Sequence, residues 1–228
     1  MILTNSKKIS LLWDIDGTLI DTRGAGVKPL SNAIERVLNQ EVTMNRDYFA
    51  GKTDYEIIDY ISRDLTSSSL SNQSVEEILD EYVQGLQSNL LKSPVRVLGK
   101  VNEVLNEMAQ ESHISLGVLT GNCMNGGRVK LKSGQIFDYF DPDISFFATK
   151  EWKSRESLVQ LAASQCDSVI LIGDTPNDIE AARNCNQPII SISSGIFSFD
   201  ELNKLNPGRV LEADFEVQEF TGLVKKLI

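Results

Sequence analysis

The chain has 228 residues, 41% hydrophobic and 24% charged, with a formal net charge of -10. That length buries a core without disulfide or metal staples, and the acidic balance argues against a nucleic-acid partner, which needs clustered Lys and Arg. A small phosphorylated ligand stays open, because a bound cation reverses the local field. Cys123, Cys166 and Cys185 form no Cys-x-x-Cys pair and His113 is the single histidine, so zinc is not indicated and a reduced, cytoplasmic setting is the simplest reading. No stretch is long and apolar enough to span a bilayer. Lys7 and Lys8 precede only a short apolar run that Asp14 stops, which is not a signal-peptide pattern.

In chain order, residues 9–15 read as a buried strand running into the turn Asp16-Gly17-Thr18. Residues 29–38 read as an amphipathic helix. Thr53 and Glu56 have capping-box spacing ahead of Ile57, Ile58, Ile61 and Leu65. Residues 66–74 are polar and serine-rich and read as a loop. Ser74 and Glu77 then form a second expected capping box before a helical face of Val75, Ile78, Leu79, Tyr82, Val83 and Leu86, closed by Ser93-Pro94. Beyond it, residues 101–108 are expected as helix, 114–119 as strand, 144–147 as a short strand and 157–163 as helix. Residues 169–172 follow as strand, 179–182 as helix, 188–192 and 210–211 as strands, and 217–227 as a last helix. This alternation predicts an α/β fold with a parallel sheet covered on both faces, whose ligands sit at the carboxyl ends of the strands.

Three polar clusters fall at those ends. Asp14 and Asp16 lie two apart, so extended backbone points both carboxylates to one face, where a cation or shared proton must offset their repulsion. Asp174 and Asp178 lie one helical turn apart behind Pro176. Thr120-Gly121-Asn122 offers a hydroxyl, a flexible glycine and an amide at a strand end, suited to an anion. Lys150, Lys153 and Arg155 add positive charge between the last two. Each cluster alone also reads as an ordinary turn, helix cap or solvated face. Together they converge on one sheet edge, and their hard oxygen donors favour magnesium over zinc.

Asp14-Ile15-Asp16-Gly17-Thr18-Leu19, Thr120 and Gly173-Asp174-Thr175-Pro176-Asn177-Asp178 resemble, in order and spacing, the first, second and fourth motifs of the haloacid dehalogenase-like hydrolases, in particular the phosphoglycolate phosphatase-like branch. The resemblance implies a Rossmann-like core (residues 1–20 and 95–228) with an inserted α-helical cap (residues 21–94). It implies Asp14 as a nucleophile that becomes an aspartyl phosphate and Asp16 as acid, then base. It also implies Mg2+ held by Asp14, the Asp16 carbonyl and Asp174, supported by Asp178. Thr120, Gly121 and Asn122 would bind the phosphoryl group, with Arg155 or Lys153 as the cation of the third motif. Thr53, in a segment similar to one that reaches the active site in related phosphatases, reads equally as substrate contact or helix cap.

The implied activity is magnesium-dependent hydrolysis of a small phosphate monoester, with 2-phosphoglycolate as the first candidate, by a monomer or homodimer without nucleic-acid or membrane partners. A sugar phosphomutase with the same catalytic residues and a non-catalytic binding protein are the alternatives. A dehalogenase is disfavoured because halide leaves without a proton, so Asp16 would have no task.

Overall fold

The computed structural model describes residues 8–44, 49–206 and 208–228; Lys7 lies outside them. The central sheet has six parallel strands in the order β5-β4-β1-β6-β7-β8: β1 (Ile9–Trp13), β4 (Ile114–Cys123), β5 (Phe146–Ala148), β6 (Ser168–Gly173), β7 (Ile189–Ile192) and β8 (Val210–Leu211). The chain leaves β1 towards β4 on one side and later returns to β6 on the other. The carboxyl end of β1 is therefore the point where the strand order reverses, which is where open α/β sheets place their ligands. Trp13 is level with Val118 of β4 and Ile172 of β6, so the residue after β1 emerges between two strand ends.

Side-chain alternation along β1 divides the core into two layers. Leu12 packs with Leu119, Leu171 and Ile189 beneath α6 (Arg155–Gln165), α7 (Pro176–Asn184) and α8 (Phe199–Leu205). Leu11 and Trp13 pack on the opposite face with Val118, Ile170 and Ile190 against α4 (Val101–Met108) and α9 (Val217–Leu227). Trp13 is fully buried and stacks on Phe220 at 5.1 Å between ring centroids. Offset aromatic stacking of this kind adds to the area both rings bury.

Between β1 and β4 the chain forms α1 (Val27–Leu38), α2 (Asp54–Thr66) and α3 (Asn72–Lys92), whose buried Leu30, Ile34, Ile58, Ile78 and Leu86 make a helical layer. A two-stranded antiparallel ribbon ties the start of this insertion to its end, pairing β2 (Ile20–Asp21) with β3 (Arg96–Val97). Helix α5 (Met124–Ser133) lies between the layer and the sheet, with Gly126 close to Tyr82 of α3 and Gly127 close to Phe147 of β5. No helix among the described residues is long and apolar enough to cross a membrane.

Several boundaries differ from the sequence reading. Helix α3 starts at Asn72, capped by Ser71, whose hydroxyl accepts the Ser74 N–H, so the stretch expected as loop up to residue 74 is helical from 72 and Ser74 is not its cap. Helix α6 starts at Arg155, capped by Ser154, two residues before the expected 157. Strand β4 continues to Cys123, past the expected end at 119, because β5 pairs with it up to that residue. Helices α5 and α8 and the β2–β3 ribbon are further elements.

The revised start of α3 is testable. Ser71→Ala is expected to cost about 1 kcal/mol in urea unfolding, the usual worth of an N-cap hydroxyl. Ser74→Ala, which removes no cap, is expected to stay within about 0.5 kcal/mol of the parent.

Candidate active site

Asp14 directly follows β1 and its N–H donates to the Ile172 carbonyl of β6 at 2.8 Å, which fixes its backbone at the sheet edge. Its side chain is on the Leu12 side of the sheet, where Arg155 forks onto it: Nη1 donates to Oδ1 at 3.0 Å and Nη2 to Oδ2 at 3.1 Å. Nη1 also donates to the Leu119 carbonyl at 3.2 Å, and Nε forms an ion pair with Asp178 Oδ1 at 3.1 Å. Arg155 reaches this spot because it is the first residue of α6, aimed by the Ser154 capping box. Such a bidentate contact holds a carboxylate plane far better than a lysine point charge. Lys153 is placed elsewhere. Its carbonyl accepts from the Thr53 hydroxyl, and its side chain lines a separate cavity of about 260 Å³ with Tyr55, Arg63 and Lys150.

Asp174 follows β6. Its Oδ1 accepts from the Thr18 hydroxyl at 2.8 Å. Two glycines give it room: a Cβ on Gly17 would stand 2.3 Å from Asp174 Oδ2, and one on Gly195 1.8 Å from the same atom. Gly17 also has φ +82°, which the tight turn requires and which favours glycine. Its carbonyl accepts from Ser194 Oγ at 2.7 Å. Asp178 divides its carboxylate. Oδ2 accepts from the Thr175 N–H and hydroxyl in the α7 capping box, while Oδ1 faces Arg155.

The carboxylates of Asp14, Asp174 and Asp178 offer oxygens within 4.8 Å of one another and are all buried. One guanidinium does not neutralise three buried carboxylates. Burial lifts the Asp14 carboxyl above its ordinary range, with Arg155 opposing and Asp178 adding. Burial pushes Asp174 well above that range, reinforced by Asp178 and Asp14. The triad therefore has oxygen donors, close spacing and a deficit of positive charge, which together fit a cation.

Beside this triad lies a second polar group. Thr120 is fully buried and its Oγ1 accepts from Asn122 Nδ2 at 2.8 Å. Asn122 Nδ2 also donates to Asp16 Oδ2 at 2.7 Å, and Lys130 Nζ donates to the same oxygen at 2.6 Å. Lys130, on α5, was not among the residues singled out from sequence. Burial pulls its ammonium down, but Asp16, Tyr82 and Asp54 more than reverse this and raise it. Asp54 of α2, which follows Thr53 in the segment that the resemblance brings to the active site, is buried and accepts the Cys123 N–H at 2.8 Å.

The segment before α2 covers both groups. A Cβ on Gly121 would come within 2.8 Å of the Lys52 carbonyl, so this strand end and the segment touch backbone to backbone. Asn177 Nδ2 donates to the Ala50 carbonyl at 3.1 Å. Thr53 caps α2, accepting the Glu56 N–H at 3.1 Å, and its own proton goes to the Lys153 carbonyl. Its hydroxyl is thereby committed. Asp14 and Asp174 are only 5% and 3% exposed beneath this cover, at the strand ends where the sequence reading places the ligand.

Comparisons with known proteins bear on the fold and the family. The chain is 23% identical over 228 residues to a pyrophosphatase, PpaX, of Bacillus velezensis, covering 97% of this chain and all of that one. Among solved structures it is similar to a haloacid dehalogenase-like family hydrolase from Streptococcus pneumoniae, with a TM-score of 0.62, 17% identity and coverage of 97% and 100%. It is also similar to a protein from Haemophilus somnus described as a predicted phosphoglycolate phosphatase, with a TM-score of 0.64, 15% identity and coverage of 98% and 100%. A family profile described as haloacid dehalogenase-like hydrolase matches residues 11–192, a span that contains every acidic residue of the triad. With the parallel α/β sheet and the acidic triad at the reversal point of its strand order, the chain belongs to the haloacid dehalogenase-like hydrolases.

Proposed function

We propose that the protein is a magnesium-dependent phosphatase of small phosphorylated metabolites that works through an aspartyl-phosphate on Asp14. The observation that carries this reading is the Asp14 carboxylate held by the Arg155 fork at 3.0 and 3.1 Å, inside a triad of carboxylates that lacks positive charge. In this reading residues 21–94 act as a cap over a core of residues 1–20 and 95–228.

Asp14, Asp174, Asp178 and the Asp16 carbonyl would hold the ion. When bound, magnesium supplies the charge neutralisation that lets a carboxylate approach a phosphate dianion. Arg155 orients Asp14 and offsets charge on the phosphoryl oxygens in the transition state. Thr120 and the backbone of Gly121 and Asn122 bind those oxygens. An Asp14 oxygen attacks phosphorus and the bond to the leaving oxygen breaks, while Asp16 gives that oxygen a proton. Asp16 then takes a proton from water, which attacks the aspartyl phosphate and releases inorganic phosphate. Substrate reaches Asp14 once residues 50–53 lift from Gly121 and Asn177, so cap opening belongs to the cycle. The substrates to compare first are 2-phosphoglycolate and pyrophosphate, the second suggested by the PpaX relative.

Asp14→Asn is expected to abolish phosphate release with the fold retained by circular dichroism. Asp16→Asn is expected to lower turnover by at least about 10²-fold, the scale of an acid/base group. Near-parental turnover in the Asp14 variant rules out the covalent route.

The metal reading has a thermal readout. Raised carboxyl pKa values mean that the folded protein binds protons more tightly than the unfolded chain. The stability they contribute is present at low pH and lost as pH rises through the raised values. Magnesium replaces those protons. The rise in Tm on adding Mg2+ is therefore expected to grow as pH is raised above the ordinary carboxylate range, approaching the effect of about 2.7 kcal/mol at a hundredfold excess over Kd. Gly195→Ala, whose methyl displaces Asp174 Oδ2, is expected to shrink the rise. A Tm indifferent to Mg2+ at every pH contradicts the metal site.

A further inference from the structure

The ion pair between buried Lys130 and the partly exposed Asp16 side chain has no part in the reaction as written above. Lys130 is 6% exposed and points from α5 to the carboxylate two residues beyond Asp14. Both hydrogen bonds to the Asp16 side chain, from Lys130 Nζ at 2.6 Å and from Asn122 Nδ2 at 2.7 Å, end on Oδ2. Among the described residues none reaches Oδ1. One oxygen is thus anchored and the other left to present. Asn122 is itself oriented, because its Oδ1 accepts from Lys130 and its Nδ2 also bonds Thr120 Oγ1. Lysine, amide and hydroxyl form one connected unit that links the Asp16 side chain to the phosphoryl-binding strand end.

The unit is built at some cost. A buried ammonium is unfavourable unless closely paired, and Lys130 has Asp16 as its only carboxylate hydrogen-bond partner among the described residues. Its helix makes room for the reach. The buried face of α5 is Gly126, Gly127, Lys130 and Leu131. The two glycines let α5 approach Tyr82, Cys123 and Phe147 closely, since a Cβ on Gly127 would stand 2.6 Å from the Phe147 ring. Asp54 of α2 binds the Cys123 N–H at the start of α5, so the layer that covers the site also fixes the helix carrying Lys130. A side chain serving only to fill space would not need a charge here.

We infer that Lys130, acting with Asn122, is a positioning residue that fixes Asp16 Oδ2 so that Oδ1 faces the leaving oxygen and later the attacking water. The inference rests on the proposed acid/base role of Asp16. Misplacing a catalytic group by about 1 Å costs on the order of 10²-fold, which sets the scale of the test.

Phenyl phosphate and p-nitrophenyl phosphate separate the possibilities, because the poorer leaving group depends more on a delivered proton. Lys130→Met is expected to lower kcat/KM for phenyl phosphate by about 10²-fold and for p-nitrophenyl phosphate by about tenfold or less. Asp16→Asn is expected to show the same ordering, and Lys130→Met added to Asp16→Asn to cost no more than about twofold further, since two residues acting as one unit are not additive. Lys130→Arg is expected to recover part of the loss. If Asp16→Asn is slow while Lys130→Met is equally active on both esters, or if the two losses multiply, the positioning role is wrong and the acid/base role stands. If Asp16→Asn is itself near parental, the acid/base role is wrong and the inference with it. Should Lys130→Met not fold, Lys130→Gln and Lys130→Arg are read by the same ratio of the two esters.

Discussion

Three carboxylates buried against one guanidinium create the imbalance around which this molecule is arranged. Asp14 and Asp178 share Arg155, while Asp174 has the Thr18 hydroxyl and no ion pair among the described residues. Folding alone does not favour this arrangement, because burial penalises a desolvated carboxylate and Asp178 raises both Asp14 and Asp174 further. It survives because the surrounding elements over-determine it. Asp14 is fixed by its backbone bond to β6, Arg155 by a capping box, Asp178 by another, and Asp174 by two glycines that leave no space for any larger residue. Binding sites are the usual place for such stored electrostatic strain.

The sheet topology explains why these residues meet at all. β4, β1 and β6 are neighbours, yet β1 is separated from β4 by the helical insertion and from β6 by more than half the chain. Trp13 aligned with both Val118 and Ile172 brings Asp14 level with the strand ends that carry Thr120 and Asp174. The register is held by alternation. A slip of one residue would exchange Leu12 for Trp13 and move Trp13 off Phe220. The hydrophobic layers thus set the position of the polar cluster, although none of their side chains takes part in it.

The helical layer adds the other half of the site. Its contacts with the core are few and polar at the active edge: Ala50 with Asn177, Thr53 with Lys153, and Asp54 with Cys123. Such bonds are individually worth about 1 kcal/mol, and in the proposed cycle they are the ones that break when the cover lifts. Asp54 is the most telling of the three, because its charge reaches Lys130 and through it the Asp16 side chain. The cover and the Asp16 side chain thus share one cluster of charges.

Local chemistry determined much of this in the sequence itself. Apolar runs ending in Asp14, Thr120 and Asp174 marked the central strands and their polar ends, and Thr53 with Glu56 announced the start of α2. The choice of Arg155 for the place beside Asp14 followed from α6 beginning at that residue, a boundary that the Ser154–Ser157 box determines and that periodicity alone put two residues later. Helix α8 had a legible signal in Ser198 and Glu201, which form its capping box. Helix α5 had none, because its buried face is two glycines, a lysine and one leucine, which leaves no apolar period to detect. Lys130 was invisible for the same reason, and for Asp54 only its segment, not its role, was legible: a buried charge is specified by its partner, and their partners lie 114 residues away in Asp16 and 69 residues away in Cys123. The sequence by itself determined the strand ends and their chemistry, which depend on neighbours in the chain. Only the tertiary structure decided which cation faces which carboxylate and what covers them, because those choices depend on helices packing across the sheet.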